Sequence, residues 1–190
     1  MLGTRRGMIG AMGGAMVGAA ASLAAGTPAV AASARAIDRD VKAALRNLFA
    51  AQPHARSLAQ RASAVLVFPR IVKAGLLIGG QGGDGALLIH NQIARYYNIA
   101  AASFGLQAGV QAFSYALFFM NEAALKYLDR SDGWSIGSGP SVVVIDKGAA
   151  ASLTSTTLTQ DVYAIPFGQR GLMAGIGLEG SKITRIHPGA

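Results

Sequence analysis

Cysteine is absent from this 190-residue chain. That excludes a disulfide scaffold and a lipoprotein acylated at a cysteine behind a signal, so stability must come from packing. Acidic residues are scarce, nine against 17 Lys and Arg, and the resulting net charge of +8 points to an anionic partner, nucleic acid or lipid. Histidine occurs three times, at His54, His90 and His187, none with a second ligand at metal spacing, and the Asp132 turn lacks the oxygen ligands of a calcium loop; no metal or other cofactor is expected. Charge of either sign is missing between Asn98 and Asn121, a length that would allow a membrane span. Ser103, Gln107, Gln111 and Ser114 interrupt that stretch, Gly105 and Gly109 weaken a helix, and Val110 to Tyr115 alternates, so two strands or one long bent strand are expected.

What the chain has in excess is glycine, 25 residues, in a background that is 52% hydrophobic. Its length suits one domain with a real core. The organising stretch is Val65 to Ile89, an apolar run broken by Pro69, carrying Arg70 and Lys73 and then six glycines between Gly75 and Gly85. Its Gly75-Leu76-Leu77-Ile78-Gly79 recurs as Gly105 to Gly109 and as Gly171 to Gly175, three copies of G-L-x-x-G. Read as a strand, each pair of glycines leaves a bare strip on one face for a close neighbour. Gly79 to Gly85 reads as the positive-φ loop of a hairpin and Leu178 to Lys182 as a shorter one, giving glycine-marked, bent antiparallel strands.

Residues 1–34 read as a signal peptide. Arg5-Arg6 precede an uncharged stretch rich in Ala, Gly and Met, and Ala29-Val30-Ala31 and Ala32-Ser33-Ala34 are two A-x-A cleavage candidates. The arginine pair before a weakly hydrophobic core has the form of a twin-arginine signal, which ordinary secretory signals can share; the competing reading is an uncleaved membrane anchor. The expected location is therefore exported, periplasmic or envelope-associated. Removing the signal takes two arginines and leaves 15 basic against nine acidic residues.

In the mature chain, 35–190, Ile37, Val41, Ala44, Leu45 and Leu48 fall at helical spacing, and Arg35, Arg39, Lys42 and Arg46 repeat on another stripe. Such a basic amphipathic helix either lies on an anionic membrane or covers a sheet. Pro53 interrupts it, and Ala55 to Ala64 forms a second helix with Leu58 and Ala62 facing in. Val65 to Phe68 is a buried strand that Pro69 ends or places at an edge. Asn121 caps a helix over Glu122 to Leu128, Asp129 to Pro140 is turn-rich, Ser141 to Ile145 is a β-branched strand, Ser152 to Ile165 a Thr-rich strand or hairpin, Phe167 to Gly180 holds the last glycine strand, and Ile183 to Ile186 closes the chain.

Two catalytic motifs match only literally. Gly80 to Gly85 fits G-x-G-x-x-G, but Ala86 to Ile89 follows as strand and no acidic residue comes until Glu122, so a dinucleotide site lacks its helix and its ribose ligand. Gly133-Trp134-Ser135-Ile136-Gly137 fits the nucleophile elbow, with Asp146 or Asp161 and His187 to complete a triad, but a polar turn precedes it and Gly137-Ser138-Gly139-Pro140 cannot open a helix. A nucleic-acid surface is also not expected, because the basic residues between Arg35 and Lys73 are not interleaved with aromatics.

Phe68-Pro69, Lys73-Ala74-Gly75, the GGxGGxG run, Tyr96-Tyr97, the Gly105 to Gln111 segment and terminal Gly171-Leu172, in that order, resemble the SYLF lipid-binding domain family over about Arg35 to Ile186. The resemblance implies an α+β fold in which an antiparallel, glycine-bent sheet curls into a barrel-like or sandwich core covered by the N-terminal helices. It implies non-catalytic lipid binding at a membrane surface, with phosphoinositides and actin as associates of eukaryotic members. For an exported protein, anionic phospholipids of the envelope replace both, and no actin is expected. The residues expected to meet lipid are Arg39, Lys42 and Arg46, helped by Arg70 and Lys73. The runner-up is an envelope structural or interaction module without direct lipid binding; third is a small serine hydrolase using Ser135.

Overall fold

The computed structural model describes residues 32–75, 78–104, 109–130, 132–145, 159–170, 178 and 180–189. Residues 1–31 of the segment read as a signal over 1–34, the second and third glycine motifs apart from Gly109, and the Asp146 turn with the Thr-rich stretch to residue 158 lie outside the described residues.

Helix α1 (Ala34–Ala51) opens on Ser33, whose Oγ accepts the Ala36 N–H at 3.3 Å. It closes at Gln52, where Pro53 starts α2 (Pro53–Arg61) in the first turn, where the missing N–H costs no intrahelical bond. The second helix thus begins two residues before the expected Ala55. Leu58 is buried and Ala62 packs half-buried beyond the helix end.

The strands are β1 (Ala64–Gly75), β2 (Ile78–Ile89), β3 (Gln92–Phe104), β4 (Gly109–Phe119), β5 (Trp134–Ser135), β6 (Val142–Val144), β7 (Val162–Arg170) and β8 (Lys182–Ile186). Between β4 and β5 come α3 (Glu122–Leu125) and a 3₁₀ turn (Lys126–Asp129). Asn121 caps α3 as expected, its Oδ1 accepting from Ala124 N at 2.8 Å. The uncharged stretch forms the end of β3 and all of β4, two strands. Among the described residues no helix is long and apolar enough to cross a membrane.

One sheet holds all the strands in the order β5-β8-β3-β2-β1-β4-β7-β6, antiparallel except for the parallel β6–β7 pair. Its curl follows from a single contact. Trp134 on β5 and Phe119 on β4 are five strand steps apart, which on a flat sheet at about 4.8 Å per step would separate them by roughly 24 Å. Their rings lie 5.9 Å apart, so the sheet closes into a half-barrel around an inner core of Leu66, Phe68, Leu87, Tyr97, Phe113 and Leu117. The outer face carries Val65, Val67, Leu88, Phe118 and Ile165, and α1 and α2 cover it. The α+β, barrel-like expectation holds, with one parallel pair added.

Two expectations about the organising stretch are corrected. Pro69 neither ends β1 nor sits at an edge: β1 runs on through it in the middle of the sheet, because the register shifts between Phe68 and Ile71 against β4 and between Val67 and Val72 against β2. A bulge leaves a residue out of the ladder, so the missing N–H of proline breaks no pairing there. Gly79 to Gly85 is not a loop either. All seven residues lie in β2, paired with β3 throughout, and none has a positive φ. The hairpin closes earlier, where Gly75 pairs with Gly79. The two glycines of the first G-L-x-x-G copy thus lie on β1 and β2 and face each other across the pairing, while residues 76 and 77 lie outside the described residues. Gly180, by contrast, takes the positive φ expected of the short final turn, +73°.

Candidate functional site

The first candidate surface is the outer side of α1. Ile37, Val41, Ala44, Leu45 and Leu48 are all at most 7% exposed against the sheet and α2, so the apolar stripe is docked as a core-facing helix docks. Tyr96 on β3 fixes it further, its OH donating to Asp38 Oδ1 at 2.9 Å. Burial, and then that bond, push the Tyr96 hydroxyl above its ordinary value, which keeps it a neutral donor.

With the apolar stripe committed, the opposite side of the helix is free. Arg35, Arg39, Lys42 and Arg46 are exposed and, at about 100° per residue, fall within roughly 60° of one another. Arg39 pairs with the adjacent Asp40, Nε to Oδ1 3.0 Å, where both side chains are more than half exposed, a contact of little energy in water. Arg35, Lys42 and Arg46 have no ion pair among the described residues. Exposed Arg56 on α2 extends the basic surface, its guanidinium over the Phe49 ring at 5.6 Å.

The five residues singled out in the sequence do not form one cluster. Arg39, Lys42 and Arg46 share the helix face. Arg70 stands on the bulge and lines a groove of about 610 Å³ on the flank of α1, between Asp40 and Asn47 of the helix and strands β1, β4 and β7. Lys73 pairs directly with Gln81 and Gln111 and belongs with Ile71 and Phe113 to the inner face of the half-barrel, away from α1. Arg170 completes the groove, brought there by the pairing of Ala112 with Arg170. Nothing local in the sequence marks it, since it lies 100 residues from Arg70 and only the strand order unites them.

The hydrolase reading loses its geometry. Ser135 is an exposed residue of a two-residue edge strand, paired with Lys182, and turns rather than a helix follow it. Asp161 is occupied elsewhere: its carboxylate accepts from Ser141 N, Asn121 Nδ2 and Ser141 Oγ, each at 2.9 Å, and these bonds in that order hold it below the usual carboxylate range. No hydrogen bond joins Ser135 to Asp161 or to the exposed His187 among the described residues. The G-x-G-x-x-G run, paired on β2 and leading into no helix, lacks the turn that would cradle a pyrophosphate. Among the described residues no group of three His, Asp or Glu is placed to share a metal ion.

Residues 100–187 match the family model Ysc84, described as the Las17-binding protein actin regulator. No curated protein matches the chain. The matched segment runs from β3 to β8 and includes Arg170; the basic face of α1, Arg70 and Lys73 precede it.

Proposed function

Because residues 100–187 match the Ysc84 family model and the ordered motifs resemble the SYLF lipid-binding domain family, we propose that the chain is a non-catalytic lipid-binding protein acting at a membrane surface through anionic phospholipids of the cell envelope. The observation that carries this reading is the division of α1: an apolar stripe fully used in packing and a basic stripe of Arg35, Arg39, Lys42 and Arg46 left to solvent. Attachment is then peripheral and electrostatic, with the helix staying on its sheet. Each basic side chain near an anionic surface contributes about 1 kcal/mol, within a Debye length of about 10 Å at 0.1 M salt.

The test is sedimentation of the protein with anionic vesicles at low and high salt. An Arg39→Glu, Lys42→Glu, Arg46→Glu variant should bind about a hundredfold more weakly at low salt while its melting temperature stays within a few degrees. Full sedimentation of that variant would remove the mechanism.

The alternative, an interaction module of the envelope, is favoured by the edge strand β6, where Val143 and Val144 are 39% and 41% exposed and no other strand among the described residues pairs with the outer edge, an arrangement that suits pairing with another chain. The family description names a protein partner and actin regulation; export through the N-terminal signal would keep this chain from actin. Failure of the wild type to sediment with any vesicle, at any salt, would leave the module reading in place.

A further inference from the structure

The groove on the flank of α1 is built to stay open and to hold positive charge. Small residues line much of it, Ala43 and Ala44 on the helix side and Ala112 and Gly168 on the sheet side, leaving an open space among the described residues. Gly168 has a φ of +63°, and a Cβ there would stand 3.2 Å from Ser114 Oγ. Ser114 in turn donates to the Pro69 carbonyl at 2.8 Å, tying β4 to the bulge that carries Arg70. On the other side of β1, Gly83 lacks the Cβ that would strike the Arg70 carbonyl and would lie 3.1 Å from Ile71 Cα. Two neighbouring strands therefore fix the backbone from which Arg70 projects.

Neither Arg70 nor Arg170 has an ion pair among the described residues. The acidic side chain at the lip, Asp40, already faces Arg39. Asn47 adds an amide, and the largely buried Phe167 an apolar wall. Two guanidinium side chains lining one groove suit the oxygens of a phosphate better than a single carboxylate. The volume, about 610 Å³, lies within the range of about 300–1,000 Å³ that takes an organic ligand, so a bare ion underfills it.

We propose that this groove binds the phosphate of a phospholipid headgroup, with Arg70 and Arg170 as its charged ligands and Asn47 as a neutral donor. The proposal rests on the lipid-binding reading above, but it assigns recognition to a groove rather than to the helix face, and free phosphate shares its chemistry.

The experiment titrates the mature chain with dihexanoyl-phosphatidylglycerol below its micelle concentration and, separately, with inorganic phosphate, at fixed ionic strength, following amide chemical shifts. Saturable lipid binding with the largest shifts at Arg70, Ser114 and Arg170 is expected. Arg70→Gln and Arg170→Gln should each weaken it about tenfold and together about a hundredfold, with Arg170→Gln alone serving if the double variant melts early. Lys42→Gln with Arg46→Gln, which keeps the Arg39–Asp40 pair at the lip, should leave this binding within about twofold while weakening vesicle sedimentation. Unchanged affinity in the arginine variants overturns the groove. So does a wild type that sediments with vesicles yet ignores the soluble lipid, which would leave the helix-face attachment standing. Inorganic phosphate binding as tightly as the lipid overturns the headgroup assignment and makes the groove a site for the free anion. Soluble lipid bound through the two arginines by a protein that no vesicle sediments upholds the groove and removes the surface attachment.

Discussion

The carbonyl oxygen of Arg70 occupies the space that a Cβ on residue 83 would need. The two residues are on adjacent strands beside the bulge, and β1 bends so closely over β2 there that glycine is required opposite it. Gly85 repeats the relation one pleat further along, where a Cβ would strike the Val67 carbonyl and lie 2.6 Å from Phe68 Cδ1.

Alanine at residue 83 or residue 85 should therefore force backbone apart, at a cost of about 3 kcal/mol or more. Gly80→Ala should be nearly neutral, because a Cβ there meets only the Ala101 carbonyl at 3.7 Å, an ordinary contact. Urea denaturation of the three variants checks this; equal midpoints would show that the bulge does not press on β2.

On the packed face of α1, Leu48 is fully buried and Leu45 is 7% exposed. Leu48→Ala should cost about 2–5 kcal/mol, and Leu45→Glu should unfold the chain rather than merely release it from membranes. Thermal melts decide between a docked and an inserting helix: a Leu45→Glu protein that keeps its melting temperature but no longer sediments with vesicles would mean that the stripe inserts.

Asp161 joins the start of β7 to Ser141 before β6 and to the Asn121 cap of α3. Its folded pKa lies below the unfolded value of about 3.9. The stability it contributes is therefore present above about pH 4 and lost as the pH falls through the lower folded value. Asp161→Asn should lower the melting temperature at pH 7 and shrink the further drop on acidification to pH 3. Parallel acid limbs for the two proteins would show that the carboxylate is not the group responsible.

The two A-x-A sites at the N-terminus differ in what they leave behind. Cleavage after Ala31 keeps Ser33, the cap of α1, and Ala32, which packs against the outer core; cleavage after Ala34 removes both, and with them the bond from Ala34 N to Gly189 O at 3.0 Å. A cap of this kind is worth about 1 kcal/mol. If residues 1–34 act as the proposed signal, the processed protein is accordingly expected to begin at Ala32, which intact-mass spectrometry reads directly; a mass that includes Met1 would mean that no signal is removed.

Local pattern was enough for the elements whose reasons are local. The five apolar residues of α1 repeat at the helical period and all five are buried; Asn121 stands three residues before the N–H it caps; the uncharged stretch alternates and carries glycine, and it forms strands. Bent antiparallel strands were legible from the glycine-rich, alternating segments, whereas the curl into a barrel-like core was expected from the family resemblance. The roles of Pro69 and of Gly79 to Gly85 were not, because a proline in a bulge and one at a strand end read alike, and a glycine run looks like a turn until the neighbour that forbids its side chains is in place. That neighbour, the backbone of β1, is more than ten residues away. The basic residues show the same boundary. Arg39, Lys42 and Arg46 are joined by helical spacing alone, whereas the bulge between Phe68 and Ile71 shifts the register, and a one-residue shift exchanges the faces of a strand. It puts Arg70 in the groove with Arg170 and turns Lys73 to the opposite face, an assignment made by strand pairing and by nothing nearer in the chain.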